Sequence, residues 1–182
     1  MKLILILLLI VPVLGFNQIN KETGLAEFTE VKQVDGLSKA KIYDILRDFV
    51  YSNYNNGKHV IQIEDKESGK IMIKAITKTL SYKNMGQIIE SGHFKYTLTL
   101  SVKDGRYKYL FEDIYFEKTG KNPFTSGSNF AEEYPVLWGN MSKNWKQKIW
   151  DDFKSQAEQE ISLIIASIET NINSKKTNSD DW

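Results

Sequence analysis

The sequence contains no cysteine, only two histidines (His59 and His93), and only two arginines (Arg47 and Arg106) among 24 basic residues. Without a thiol, disulfide frameworks, thiolate metal sites and cysteine nucleophiles are excluded, and the fold must be held by packing. No lipid can be attached through an N-terminal cysteine either. Scarce arginine makes bidentate recognition of phosphate or carboxylate scarce as well. A formal net charge of +1 rules out a global field drawing the chain to nucleic acid or to an anionic membrane.

What is present begins at the N-terminus. Met1-Lys2 precedes an apolar run from Leu3 to Leu14, interrupted only by Pro12. The run is too short to cross a bilayer comfortably, which takes about 20 residues, and it ends on small residues, so residues 1–15 read as a secretory signal peptide. Cleavage is expected after Gly15. The protein is then expected to be periplasmic or secreted, with no transmembrane segment in the mature chain. The remaining residues, about 167, suit one domain with a sizeable core. Residues 16–24 are polar and read as a disordered lead-in, 25–172 as a single domain, and 173–182 as a flexible tail.

The stretch VIQIEDKESGKIMIKA, Val60 to Ala75, sets an acidic and lysine cluster between two isoleucine-rich runs. It reads as two strands joined by a solvated turn, with Gly69 supplying a positive φ. A phosphate loop needs a glycine where Glu64 stands and a hydroxyl after Lys70, and neither is there. Before this hairpin, Leu25–Val34 reads as a strand. Ser38 caps a helix over Lys39–Tyr54, where Ile42, Ile45, Leu46, Phe49 and Val50 recur at helical spacing. After the hairpin the third strand is expected to run to about Tyr82, where Lys83-Asn84-Met85-Gly86 breaks it. Phe94 to Val102 alternates strictly, and Lys103-Asp104-Gly105 turns it into a returning strand over Arg106–Phe116. Residues 117–142 read as a long loop. An apolar stripe from Trp145 to Ile172 then predicts a long amphipathic helix. The order β-α-β-β-β-β-α gives an α+β class: an antiparallel sheet with the C-terminal helix packed on one face.

The stretches FTEVKQVDGLSKAKIYDILRDFV, VIQIEDKESGKI and YTLTLSVKDGRYKYLFED resemble the exported bacterial family catalogued as domain of unknown function 4468. The likeness covers about Phe28 to Asp113 and implies a TBP-like, helix-grip-like architecture. It implies no activity and carries over no catalytic residue.

Neither histidine has the setting of a general base, since each lies near the start of an expected strand. Ser126-Gly127-Ser128 lacks the frame of a nucleophile elbow. Glu112 and Asp113, as neighbours on a strand, are expected on opposite faces. No catalytic, metal or cofactor site is therefore expected. Two surfaces remain. One is a basic, hydroxyl-rich sheet face gathering Lys74, Lys78, Lys95, Thr97, Thr99, Ser101, Lys103, Arg106 and Lys108. The protein that names the fold contacts DNA through such a face, but that contact needs apolar wedges and many arginines, so no nucleic-acid partner is expected. The other is aromatic, formed by Phe124, Phe130, Tyr134, Trp138, Trp145 and Trp150, and is either a ligand surface or the closure of one end of the core. The leading expectation is a non-catalytic domain binding an envelope protein, a glycan or an apolar ligand. The alternatives are an envelope hydrolase and an assembly protein that pairs through its last helix.

Overall fold

The computed structural model describes residues 18–54, 57–120, 124–132 and 142–177. The expected signal peptide (1–15), Tyr134, Trp138 and the last five residues lie outside the described residues. The chain runs β1 (Gln18–Ile19), β2 (Ala26–Gln33), α1 (Lys39–Asn53), α2 (Gly57–Val60), β3 (Ile61–Asp65), β4 (Lys70–Ile76), β5 (Leu80–Asn84), β6 (Gln87–Lys103), β7 (Arg106–Lys118), β8 (Ser128–Asn129) and α3 (Lys143–Thr177). Among the described residues the strands form one eight-stranded antiparallel sheet of order β1-β2-β7-β6-β4-β3, with β5 also on β6 and β8 also on β7.

The inner face of this sheet is an apolar alternation: Ile71 and Ile73 on β4, Phe94, Leu98 and Leu100 on β6, Tyr107, Tyr109 and Phe111 on β7, all buried. On it lie α1, through Ile42, Ile45, Leu46, Phe49 and Val50, and α3, through Trp150, Phe153, Ala157, Ile161 and Ile168. Ser38 caps α1 as expected, its Oγ accepting from Lys41 N at 3.3 Å. At 1.5 Å per residue the 35-residue α3 is about 52 Å long, enough to cross the whole sheet.

The charged hairpin tip is a bend tied to α1. Arg47 and Tyr51 hold Glu64, Lys66 reaches Asp44 (2.7 Å), and Asp65 accepts from Ser68 N (3.0 Å). Gly69 alone in this tip is buried. Its φ is +76°, and a Cβ there would stand 2.7 Å from Val102 O.

Several sequence expectations are corrected. The third strand ends at Ile76, and Leu80–Asn84 is a separate strand, β5. Met85-Gly86 is the turn of a hairpin with φ of 46° and 83°, the two positive values a tight turn between twisted strands requires, so β6 starts at Gln87. The lead-in holds a short strand, Gln18–Ile19 pairing with Glu27 and Ala26. His59 lies in the single turn α2, and His93 lies within β6. Within 117–142, β7 runs on to Lys118 and Ser128–Asn129 adds to its edge. Helix α3 continues to Thr177, beyond the expected end near Ile172, and Lys175 pairs with Asp48 of α1 at 2.7 Å.

Candidate functional site

Among the described residues of the aromatic set, Phe124, Phe130 and Trp150 are buried and form part of the core. Phe124 and Phe116 pack on Phe153 at 5.1 and 5.7 Å between ring centroids, and Phe130 and Trp150 pack on Phe94 at 5.1 and 5.4 Å. The Trp150 indole donates to Glu132 O at 2.8 Å, which satisfies its N–H and fixes the segment over this end of the sheet. Trp145, half-buried, stands edge-on to Tyr82 at 5.7 Å. Of the two readings the sequence leaves open for the loop rings, Phe124 and Phe130 follow the second and close one end of the core, because β8 folds the loop back against Tyr115 and Phe116.

The basic sheet face is broken up by acids. Asp113 has φ +53°, and the β6–β7 register slips between Lys95 and Thr97. This bulge cancels the alternation. Glu112, register partner of Thr97, and Asp113, whose Oδ2 accepts from Thr97 Oγ1 at 3.3 Å, therefore share the outer face. The expectation that they point to opposite faces is thus overturned. Glu112 is pushed above the usual carboxylate range by burial, then by the nearby charges of Asp113 and Glu27. Thr97 and Thr99, expected in the open, are buried.

His93 Nε2 lies 3.2 Å from Glu117 Oε2, which also takes Lys95 Nζ at 2.6 Å. Lys95 is the larger cause of the lowered carboxyl pKa of Glu117, and His93 adds to it. Among the described residues no group of three or more His, Asp or Glu side chains could hold a metal.

A groove of about 780 Å³ opens where the sequence pointed to nothing: between the C-terminal end of α1, α2, the last residues of β4 and the middle of α3. Phe49, Val60, Ala75, Ile76, Leu163 and Ile164 supply its apolar walls. It exists because β3 stops pairing with β4 at Ile61–Ile73, which leaves Lys74 to Ile76 paired with β6 on one side and without a strand neighbour on the other. At its floor the Tyr54 and Tyr96 hydroxyls meet at 3.2 Å. Burial pushes Tyr54 up to about 12 and raises Tyr96 further, so both phenols are neutral at physiological pH. At its rim, Thr77 N donates to Phe94 O, so strand alternation turns the next N–H, that of Lys78, away from β6. Glu160 of α3 accepts it at 2.7 Å. Two wall residues are well exposed, Leu163 at 65% and Ile76 at 53%.

Both were findable. Leu163 falls between the positions of the α3 apolar stripe, and Ile76 breaks the parity set by Ile71, Ile73 and Ala75. An apolar residue out of phase with its own element points away from the core.

Residues 28–117 match the model of a family described as a domain of unknown function (DUF4468) with TBP-like fold. Over these residues the chain is similar to this family. Among solved structures, a DUF4468 family protein from Bacteroides ovatus ATCC 8483 superposes with a TM-score of 0.64 at 16% identity, covering 85% of this chain and 90% of that one. A TBP-like protein from Parabacteroides distasonis ATCC 8503 gives 0.56 at 12% identity, covering 83% and 97%. No match is found among curated proteins. At these identities the likeness establishes the shared fold, and the groove stands on its own geometry. No helix among the described residues is long and apolar enough to cross a membrane.

Proposed function

We propose that this protein is a non-catalytic, exported binding domain of the cell envelope, and that it binds an apolar ligand in the groove between α1, α3 and the end of β4. The observation that carries the reading is the groove itself. Its volume falls within the range usual for ligand sites, about 300 to 1,000 Å³, and apolar walls surround a few convergent polar groups. The neutral tyrosine pair offers hydrogen bonds but no base. His93 and Glu117 do not line the groove, and a lysine already engages that carboxylate. Glu160 on Lys78 N occupies the edge where a peptide strand would continue the sheet, which favours a small ligand over strand addition. Acids interleaved on the outer face disfavour a nucleic-acid partner, since Glu27, Glu112 and Asp113 would face phosphate. Export rests on the apolar run of residues 3–14.

Titration of the protein with the neutral fluorophore Nile red tests the reading. Saturable enhancement is expected in the parent and is lost in Leu163→Asp, while Ile88→Asp, a 74%-exposed position lining no part of the groove, binds as the parent does. Absent binding, or binding indifferent to Leu163→Asp, overturns it.

A further inference from the structure

Resting on that reading, we infer that the groove takes an anionic amphiphile: one unbranched hydrocarbon chain ending in a single carboxylate or phosphate monoester. The apolar part of the argument is the channel between Phe49 and Val60 on one side and Leu163 and Ile164 on the other, a slot with no charge along its floor. The charged part is the rim. Lys74 and Lys78 both line the groove, and among the described residues neither ammonium makes an ion pair. Other lysines beside carboxylates are paired: Lys32 with Glu30 and Glu169, Lys66 with Asp44, Lys95 with Glu117.

Among the described residues Glu160 is the one acid lining the groove, and its Oε2 is already the acceptor for Lys78 N. Two ammonium groups against one hydrogen-bonded carboxylate leave a net positive rim over an apolar slot, which complements an anionic head above a hydrocarbon tail. A zwitterionic or cationic head gains nothing there. A glycan would leave the apolar walls unused, and a peptide strand would have to displace Glu160. The phenolic hydroxyls at the floor carry no charge, so they neither repel the chain nor compete for the head.

Fluorescence titration of the full chain with dansyl-labelled undecanoic acid and with its methyl ester separates head from tail. The acid is expected to bind about three- to fivefold tighter than the ester, the size of a solvent-exposed charge pair. Lys74→Ala/Lys78→Ala brings the acid down to the ester while leaving the ester unchanged. Displacement by lauric acid, dodecyl phosphate and dodecyltrimethylammonium then names the head, the more effective of the two anions identifying its chemistry. Equal binding of acid and ester, an acid affinity unmoved by the double substitution, or displacement by the cationic amphiphile as good as by either anion overturns the anionic assignment. Any of these with the ester still bound leaves the apolar groove standing. No binding of either form, together with no Nile red binding, removes the groove reading as well.

Discussion

The side-chain amide of Gln156 pairs with the main chain of Ser81, accepting its N–H at Oε1 (3.2 Å) and donating from Nε2 to its carbonyl (2.8 Å). A helix residue thus serves as a strand neighbour to β5, and with Glu160 on Lys78 N it fixes α3 along the β4–β5 connection. Gln156→Ala removes both bonds and leaves two half-buried main-chain groups without them. The expected cost is about 1 to 2 kcal/mol, read as a lower urea midpoint at unchanged slope.

Gly92 of β6 sits against β7, with Lys118 as its register partner. A Cβ there would stand 2.2 Å from Glu117 O and 2.9 Å from Lys118 Cα, both backbone atoms that cannot swing aside. Gly92→Ala is expected to cost about 3 kcal/mol by chemical denaturation, through forced separation of the two strands.

Thr99 is buried on the outer face between its register partners Met72 and Leu110, and its hydroxyl has no partner among the described residues. Thr99→Val keeps the shape and removes the stranded polar group. A gain of about 1 kcal/mol is expected, visible as a raised melting temperature.

The Arg47–Glu64 pair gives a pH signature. Arg47, as the largest cause, holds the Glu64 carboxyl below its ordinary 4.5. A carboxyl depressed in the folded state stabilises the fold above its unfolded pKa, and that stability is lost as pH falls through the folded value. Glu64→Gln is therefore expected to lower the urea midpoint at neutral pH, with the difference from the parent closing well below pH 4.5. A difference that persists in acid would assign the effect to packing.

Export predicts a processed N-terminus. Sequencing the protein recovered from outside the cytoplasm of a bacterial host is expected to start at Phe16, and a start at Met1 would refute cleavage.

The elements legible in sequence are those whose period matches a single face. Phe94 to Val102 gives the centre of β6, Ile42 to Val50 gives α1, and Trp145 to Ile172 gives α3. What escaped was set by departures from period. Met85-Gly86 reads as a break because a residue other than glycine with positive φ leaves no pattern in sequence, yet it is the turn that creates β5. Asp113 hides a bulge in the same way, and with it the shared face of Glu112 and Asp113. The loop rings of Phe124 and Phe130 carry no period, so their burial had to come from tertiary contact. The groove was written only as exceptions, Ile76 and Leu163, whose meaning depends on where β3 stops.

The 17 residues of β6 are flanked on one side by β7 and on the other by β4 and then β5. Like β2, β7 and β4 it has neighbours on both edges, and as the longest of these strands it is released only by peeling the most pairing away. Hydrogen exchange along Tyr96 to Leu100 therefore follows complete unfolding, whereas β1, β3 and β8 can fray while the centre holds. Slow exchange at the centre beside a margin that frays means that the mouth of the groove, bordered by Val60 next to the start of β3, can widen to admit a guest without melting the protein.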